Sequence, residues 1–173
     1  MAAQDSRERN QMSLTSEDLW QKFIGSEAIR NKYYILGSAV DLFNEALRGF
    51  NDQTQTYLAS CICSRAAIEA ALHKAKTTER LRDFNALDSG TRRKELLIWA
   101  RKQEWYDSAL EKRVEKALAR GDLGAHLAQR IDRAFQEAGT EQPVQLWVSR
   151  DEAWESILTC RDLIERIATH RWE

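Results

Sequence analysis

Residues 26–50, SEAIRNKYYILGSAVDLFNEALRGF, decide the fold class. Ile29, Tyr33, Val40, Phe43, Ala46, Leu47 and Phe50 recur near a period of 3.6, the spacing that gathers apolar groups on one face of an α-helix. Ser26 stands in front of them as an N-cap. Past Asn51 and Asp52, a second long helix is predicted over about 53–75, where Leu58, Ile62, Arg65, Glu69 and Leu72 fall at intervals of three and four. That stripe is apolar with one Arg/Glu pair set into it.

Working outward, Thr15 or Ser16 followed by Glu17, Asp18, Leu19, Trp20, Phe23 and Ile24 is a capped, amphipathic short helix. Residues 76–91 are polar and read as a connection, after which Thr91 caps a helix through Leu96, Leu97, Trp99 and Ala100. Another helix is expected over 107–120 through Leu110, Val114, Ala117 and Leu118. Gly121 and Asp122 interrupt that pattern, and Asp122 then caps a helix over 123–137 carrying Leu123, Leu127, Ile131, Ala134 and Phe135, closed by Gly139. Residues 143–148 are a loop or one extended piece. Ser149 with Glu152 forms a capping box for a last helix that buries Trp154, Ile157, Leu158, Leu163, Ile164 and Ile167. The expected fold is all-α, an up-and-down helical bundle, with a flexible segment over 1–14 and a single domain over 15–173.

Composition agrees. One Pro and seven Gly make up about 5 per cent of the 173 residues, against roughly 12 per cent in average usage, and 22 Ala and 18 Leu stand against 4 Val. A β-sandwich or barrel is excluded on those counts. Basic and acidic residues nearly cancel, 26 against 27, so any nucleic-acid site must be local rather than a bulk-charge effect. Residues 92–133 hold 11 Lys/Arg against 7 Asp/Glu, and 134–173 hold 4 against 8, a split that helps two copies pair. Cys61, Cys63 and Cys160 suit reduced thiols. With His73, His126 and His170 at no metal-ligand spacing, neither a metal nor another cofactor is expected. No stretch approaches the ~18 apolar residues of a membrane span, so no membrane partner is expected and a cytoplasmic location is.

Several features in this order resemble a known family. A long helix with Tyr34, Ala39 and Ala46 is followed by one with Arg65, Ile68 and Glu69. Then come the turn Arg120, Gly121, Asp122, Leu123, Gly124, Ala125, His126 and a closing helix with Ala153, Leu158 and Leu163. Over roughly residues 27–170 this resembles the HEPN superfamily (higher eukaryotes and prokaryotes nucleotide-binding), nearest its prokaryotic branches of unassigned function with a Gly-Asn-x-x-Ala-His turn. Here Asp122 stands where that branch usually has Asn, and Gly121 follows the arginine where active members carry a polar residue.

The resemblance implies a HEPN-like helical bundle and, in its active form, metal-independent RNA cleavage of a defence or toxin type. Arg120 and His126 would be catalytic: histidine takes the proton from a ribose 2′-OH, and arginine stabilises the charged phosphorane. In-line displacement needs a base and an acid, so the site would be shared between two copies in a homodimer. Asp122, Arg130 and Arg133 would contact substrate, the two arginines following His126 at i+4 and i+7 on one helix face. Arg65 and Glu69 are expected to be a structural ion pair. A second reading is a catalytically silent HEPN-like dimer that binds a nucleotide or a regulatory protein partner, and a third is a plain helical interaction module.

One geometric condition stands apart from the family. On a continuous helix, six residues turn through about 600°, so Arg120 and His126 would point some 120° apart. They converge only if Gly121 and Asp122 break the helix.

Overall fold

A computed structural model describes residues 15–51, 57–78, 89–125 and 148–170, backbone only at 89–92, 124 and 125. The predicted N-terminal segment 1–14 and residues 126–137 of the helix predicted over 123–137 lie outside the described residues. Six helices follow one another among the described residues: α1 (Ser16–Ile24), α2 (Glu27–Asn51), α3 (Tyr57–Thr78), α4 (Ser89–Ala100), α5 (Ser108–Ala125) and α6 (Arg150–Thr169). Among the described residues every regular element is helical, and no helix is long and apolar enough to cross a membrane.

The predicted cap of the first helix is Thr15 rather than Ser16 and forms a capping box with Asp18, and the capping box predicted at Ser149 and Glu152 forms as well. The Thr15 hydroxyl accepts from the Asp18 amide at 3.1 Å while the Thr15 amide donates to the Asp18 carboxylate at 3.3 Å. Ser149 and Glu152 repeat the exchange at 3.2 and 2.9 Å in front of α6. Each box satisfies amide groups that a helix start would otherwise leave without partners.

Contacts along the helices give their directions. Ser60, near the start of α3, donates to the Ala46 carbonyl near the end of α2 at 2.8 Å, so these two run antiparallel. Phe50 stacks near Trp154 at the start of α6, at 4.9 Å between centroids, so α6 also opposes α2. Arg113 reaches Asp162 and Arg120 reaches Glu155, which sets α5 antiparallel to α6. Thus α2, α3, α5 and α6 alternate up and down, with α1 laid on α2 and α4 on α3.

The core is built from Phe23, Ile29, Leu36, Phe43, Ile68, Leu72, Leu110, Ile157, Leu163 and Ile164, all essentially inaccessible. α3 lies at its centre. Its predicted stripe is only partly the buried one: Leu58 and Ile62 are half-buried, whereas Ser60, Cys61, Ser64, Ala67, Ile68, Ala71, Leu72 and Ala75 are buried. Small residues spread around the helix let α2, α5 and α6 all approach it, as expected of a helix enclosed on several sides. Tyr33 departs from the predicted apolar face of α2. It is 42% exposed and its hydroxyl donates to Asp41 at 2.8 Å.

The predicted break at Gly121 and Asp122 does not occur, because α5 continues through both to Ala125. Glycine inside a helix costs about 1 kcal/mol relative to alanine, and here tertiary packing explains it. A Cβ at position 121 would lie 2.4 Å from Arg65 Cβ, 2.8 Å from Arg65 Cδ and 2.9 Å from the Cys61 carbonyl oxygen. Gly121 is the point where α5 and α3 touch backbone to backbone, and not the end of a helix.

Candidate functional site

The close approach at Gly121 brings the next residue, Asp122, to two arginines. Arg65 Nη1 lies 3.2 Å from its Oδ1, and Arg93 Nη1, arriving from α4, lies 2.7 Å from its Oδ2. The predicted Arg65 and Glu69 pair forms as well, at 3.3 Å, and Glu69 also accepts from Arg93 at 2.7 Å. Two cations and two anions therefore alternate around a closed ring that joins α3, α4 and α5. Burial works against the Arg93 cation, but hydrogen bonds to Asp122 and the charges of Glu69 and Asp122 outweigh it and raise its pKa. The four side chains are 21–31% exposed, so the ring is half-buried rather than enclosed.

Arg120 points to the other side of α5, toward α6. Its Nη1 donates to the Glu152 carbonyl at 3.0 Å and to Ser156 Oγ at 3.5 Å, and its Nη2 pairs with Glu155 at 2.8 Å. Ser156 Oγ also accepts a long contact from the Cys61 thiol at 3.9 Å. Burial pushes that thiol's pKa up, against the opposing pull of Ser156 and Arg120, so Cys61 is a poor nucleophile.

Arg113, Lys116 and Arg120 project from one side of α5 and, with Glu155, Leu158 and Thr159 of α6, line a cleft of about 200 Å³. Arg113 is held to Asp162 at 2.7 Å. Three of the lining residues are cations and one is a carboxylate, while Asp162 and Glu152, outside the lining, pair with Arg113 and Arg120.

Of the residues expected to form a site, Arg120 and Asp122 are neighbours in sequence but face different surroundings, α6 for one and the α3/α4 ring for the other. Arg65 and Glu69 are paired as expected, with two further partners. His126, Arg130 and Arg133 lie outside the described residues. Arg113 and Lys116 were not anticipated, although their i, i+3, i+7 spacing with Arg120 would have placed all three on one helix face. Arg93 and Glu155 carried no local signal, since their partners are 24 to 35 residues away in sequence. Among the described residues no group of three or more His, Cys, Asp or Glu side chains is placed to hold a metal ion.

Comparisons with protein-family models, with curated proteins and with solved structures find no match to this chain.

Proposed function

We propose that the chain is a HEPN-like helical dimer that binds RNA through phosphate contacts at the α5/α6 cleft and does not cleave it. The supporting observation is the commitment of both described motif residues on an unbroken helix. Arg120 is tied to Glu152 and Glu155, and Asp122 to Arg65 and Arg93. Transition-state stabilisation requires a preorganised donor aimed at the developing charge, and an arginine already spending its fork on a carbonyl and a carboxylate is aimed elsewhere. Binding asks less. Arg113 and Lys116 supply charge to a phosphate without perfect geometry, and the sequence beyond Ala125 adds Arg130 and Arg133.

A ribonuclease is the second reading, favoured by one observation: Glu155, the carboxylate that holds Arg120 Nη2, is 65% exposed. An ion pair with so solvated a partner is worth little, so a phosphodiester could take its place and recruit Arg120 beside His126 across a dimer.

Incubation with labelled RNAs in EDTA, together with affinity measured against salt, separates the two. The binding reading expects no cleavage, an affinity that falls steeply with salt, and a shallower salt slope for Lys116→Ala. Metal-independent cleavage that is abolished by His126→Ala, with folding and dimerisation intact, would establish the nuclease instead. A chain that binds no RNA at low salt would defeat both.

A further inference from the structure

A second cleft opens where the end of α2 meets the starts of α1 and α6, with a volume of about 310 Å³. Its lining includes Ser16, Phe50, Asn51, Arg150, Asp151 and Trp154. Phe50 and Trp154 form an aromatic wall, their ring centroids 4.9 Å apart and their planes tilted by 38°. Tyr57 braces Phe50 from α3 at 5.6 Å, and the Arg150 guanidinium lies over the Phe50 ring at 5.2 Å from its centroid. The wall is thus fixed from the core side and half-buried, a rigid surface with π-faces and a planar cation.

The polar groups narrow the ligand. Ser16 donates its hydroxyl to Asn51 Oδ1 at 2.5 Å, which occupies the amide oxygen and leaves the NH₂ end as the donor. Asp151 contributes an acceptor. A carboxylate in the wall repels a phosphate, whereas a nucleobase edge needs both a donor and an acceptor opposite it, and Asn and Asp are side chains that read such edges.

Position supplies the rest. On α6 the base-sized cleft uses residues 150, 151 and 154 and the cationic cleft uses 155, 158 and 159. At 100° and 1.5 Å per residue their centres lie about a quarter turn apart around the helix and about 8 Å along it. At the ~5–6 Å radius of a helix with its side chains those two offsets combine to about 11 Å, which a strand at ~3.4 Å per phosphate covers with three or four nucleotides.

We propose that this second cleft takes a nucleobase of a single-stranded RNA, stacked on the Phe50/Trp154 wall beside Arg150, while adjoining phosphates lie in the cleft of Arg113, Lys116 and Arg120. The proposal rests on the RNA-binding reading above. The same base chemistry could come from a free nucleotide, and the test separates the two.

The affinity of the full chain is measured by fluorescence anisotropy for a ten-nucleotide oligoadenylate, for an abasic strand of the same length, and for AMP as competitor. The expected result is that wild type binds the oligoadenylate at least about fivefold more tightly than the abasic strand, the lower end of what one stacked base contributes. Trp154→Leu, which leaves every charge in place, should remove that preference with abasic-strand binding unchanged, whereas Arg150→Ala should remove most of the preference and weaken binding of both strands. Equal affinity of wild type for the two strands would overturn the proposal even if the Trp154 variant failed to fold. Binding of AMP alone, sensitive to Arg150→Ala and without strand binding, would sustain the base cleft while refuting the RNA reading.

Discussion

Replacing Gly121 with alanine is expected to destabilise the protein, against the ordinary rule for a helical glycine. In an exposed helix interior the exchange is favourable by about 0.4–1 kcal/mol, since alanine has less backbone freedom to lose. At position 121 the added methyl would meet Arg65 Cβ at 2.4 Å and the Cys61 carbonyl oxygen at 2.9 Å. Neither can step aside as a flexible side-chain tip would, so α5 and α3 must separate by roughly 1 Å, measured against the 3.5–4.0 Å of an optimal carbon contact. Separation also lengthens the Asp122 contact to Arg65, now 3.2 Å. Overpacking of this kind costs about 1–3 kcal/mol net, which for a chain of this length lowers Tm by roughly 3–10 °C. The assay is urea and thermal unfolding followed by far-UV circular dichroism. Gly37→Ala is the control: its Cβ would find the Tyr33 ring at 3.5 Å, an ordinary contact, so it should stabilise by the usual few tenths to 1 kcal/mol. Equal gains at both positions would refute the close α3/α5 packing.

Within the ion ring, Glu69→Ala or Asp122→Ala should each cost about 1–2 kcal/mol, less than a fully buried pair because the side chains keep a fifth to a third of their exposure. A double-mutant cycle should show strong non-additivity, since both carboxylates share Arg65 and Arg93; additive costs would mean independent pairs. Glu165 is raised above the ordinary carboxylate range by burial, partly opposed by Arg161. Because its folded pKa is raised, ionisation works against folding, so Glu165→Gln should stabilise at neutral pH and the gain should vanish as pH falls below the unfolded carboxylate value. Asp107 has the opposite sign: the Arg166 hydrogen bond and the Leu110 amide hold its pKa down, so its contribution is present above the unfolded value and lost as pH falls through the folded one. Asp107→Asn should flatten the acid limb of the stability profile, and an unchanged limb would assign it elsewhere.

The legible parts of the chain were those written in neighbouring residues. The period of α2, the cap before α1, the capping box at Ser149 and the i,i+4 partnership of Arg65 with Glu69 are local, and each is present in the fold. Gly121 and Asp122 misled for the same reason. As a dipeptide they signal a helix end, yet the glycine is there to admit Arg65 of another helix, a fact about space between elements that no one-dimensional pattern holds. Arg120 was legible as a candidate residue but its surroundings were not, because Glu152, Glu155 and Ser156 reach it only after α5 and α6 have docked. The aromatic wall at Phe50 and Trp154 was hidden in the same way. Trp154 falls on an apolar stripe, which predicts burial, and only the meeting of three helix ends leaves one side of it open.

The ion ring also bears on which amide hydrogens of the protein exchange first. α4 packs chiefly on α3, through Leu96, Trp99 and Ala100, and reaches α5 by way of Arg93. When α4 lifts away, Glu69 and Asp122 keep Arg65 between them at 3.3 and 3.2 Å, so neither carboxylate is stranded and the cost is confined to uncovering Leu96, Trp99, Ala100 and the surface they pack on. Opening of α4 is therefore a sub-global event, cheaper than unfolding the whole chain. Its exchange should quicken as salt weakens the Arg93 contacts, while the amides of α2 and α6 keep the protection of the intact core.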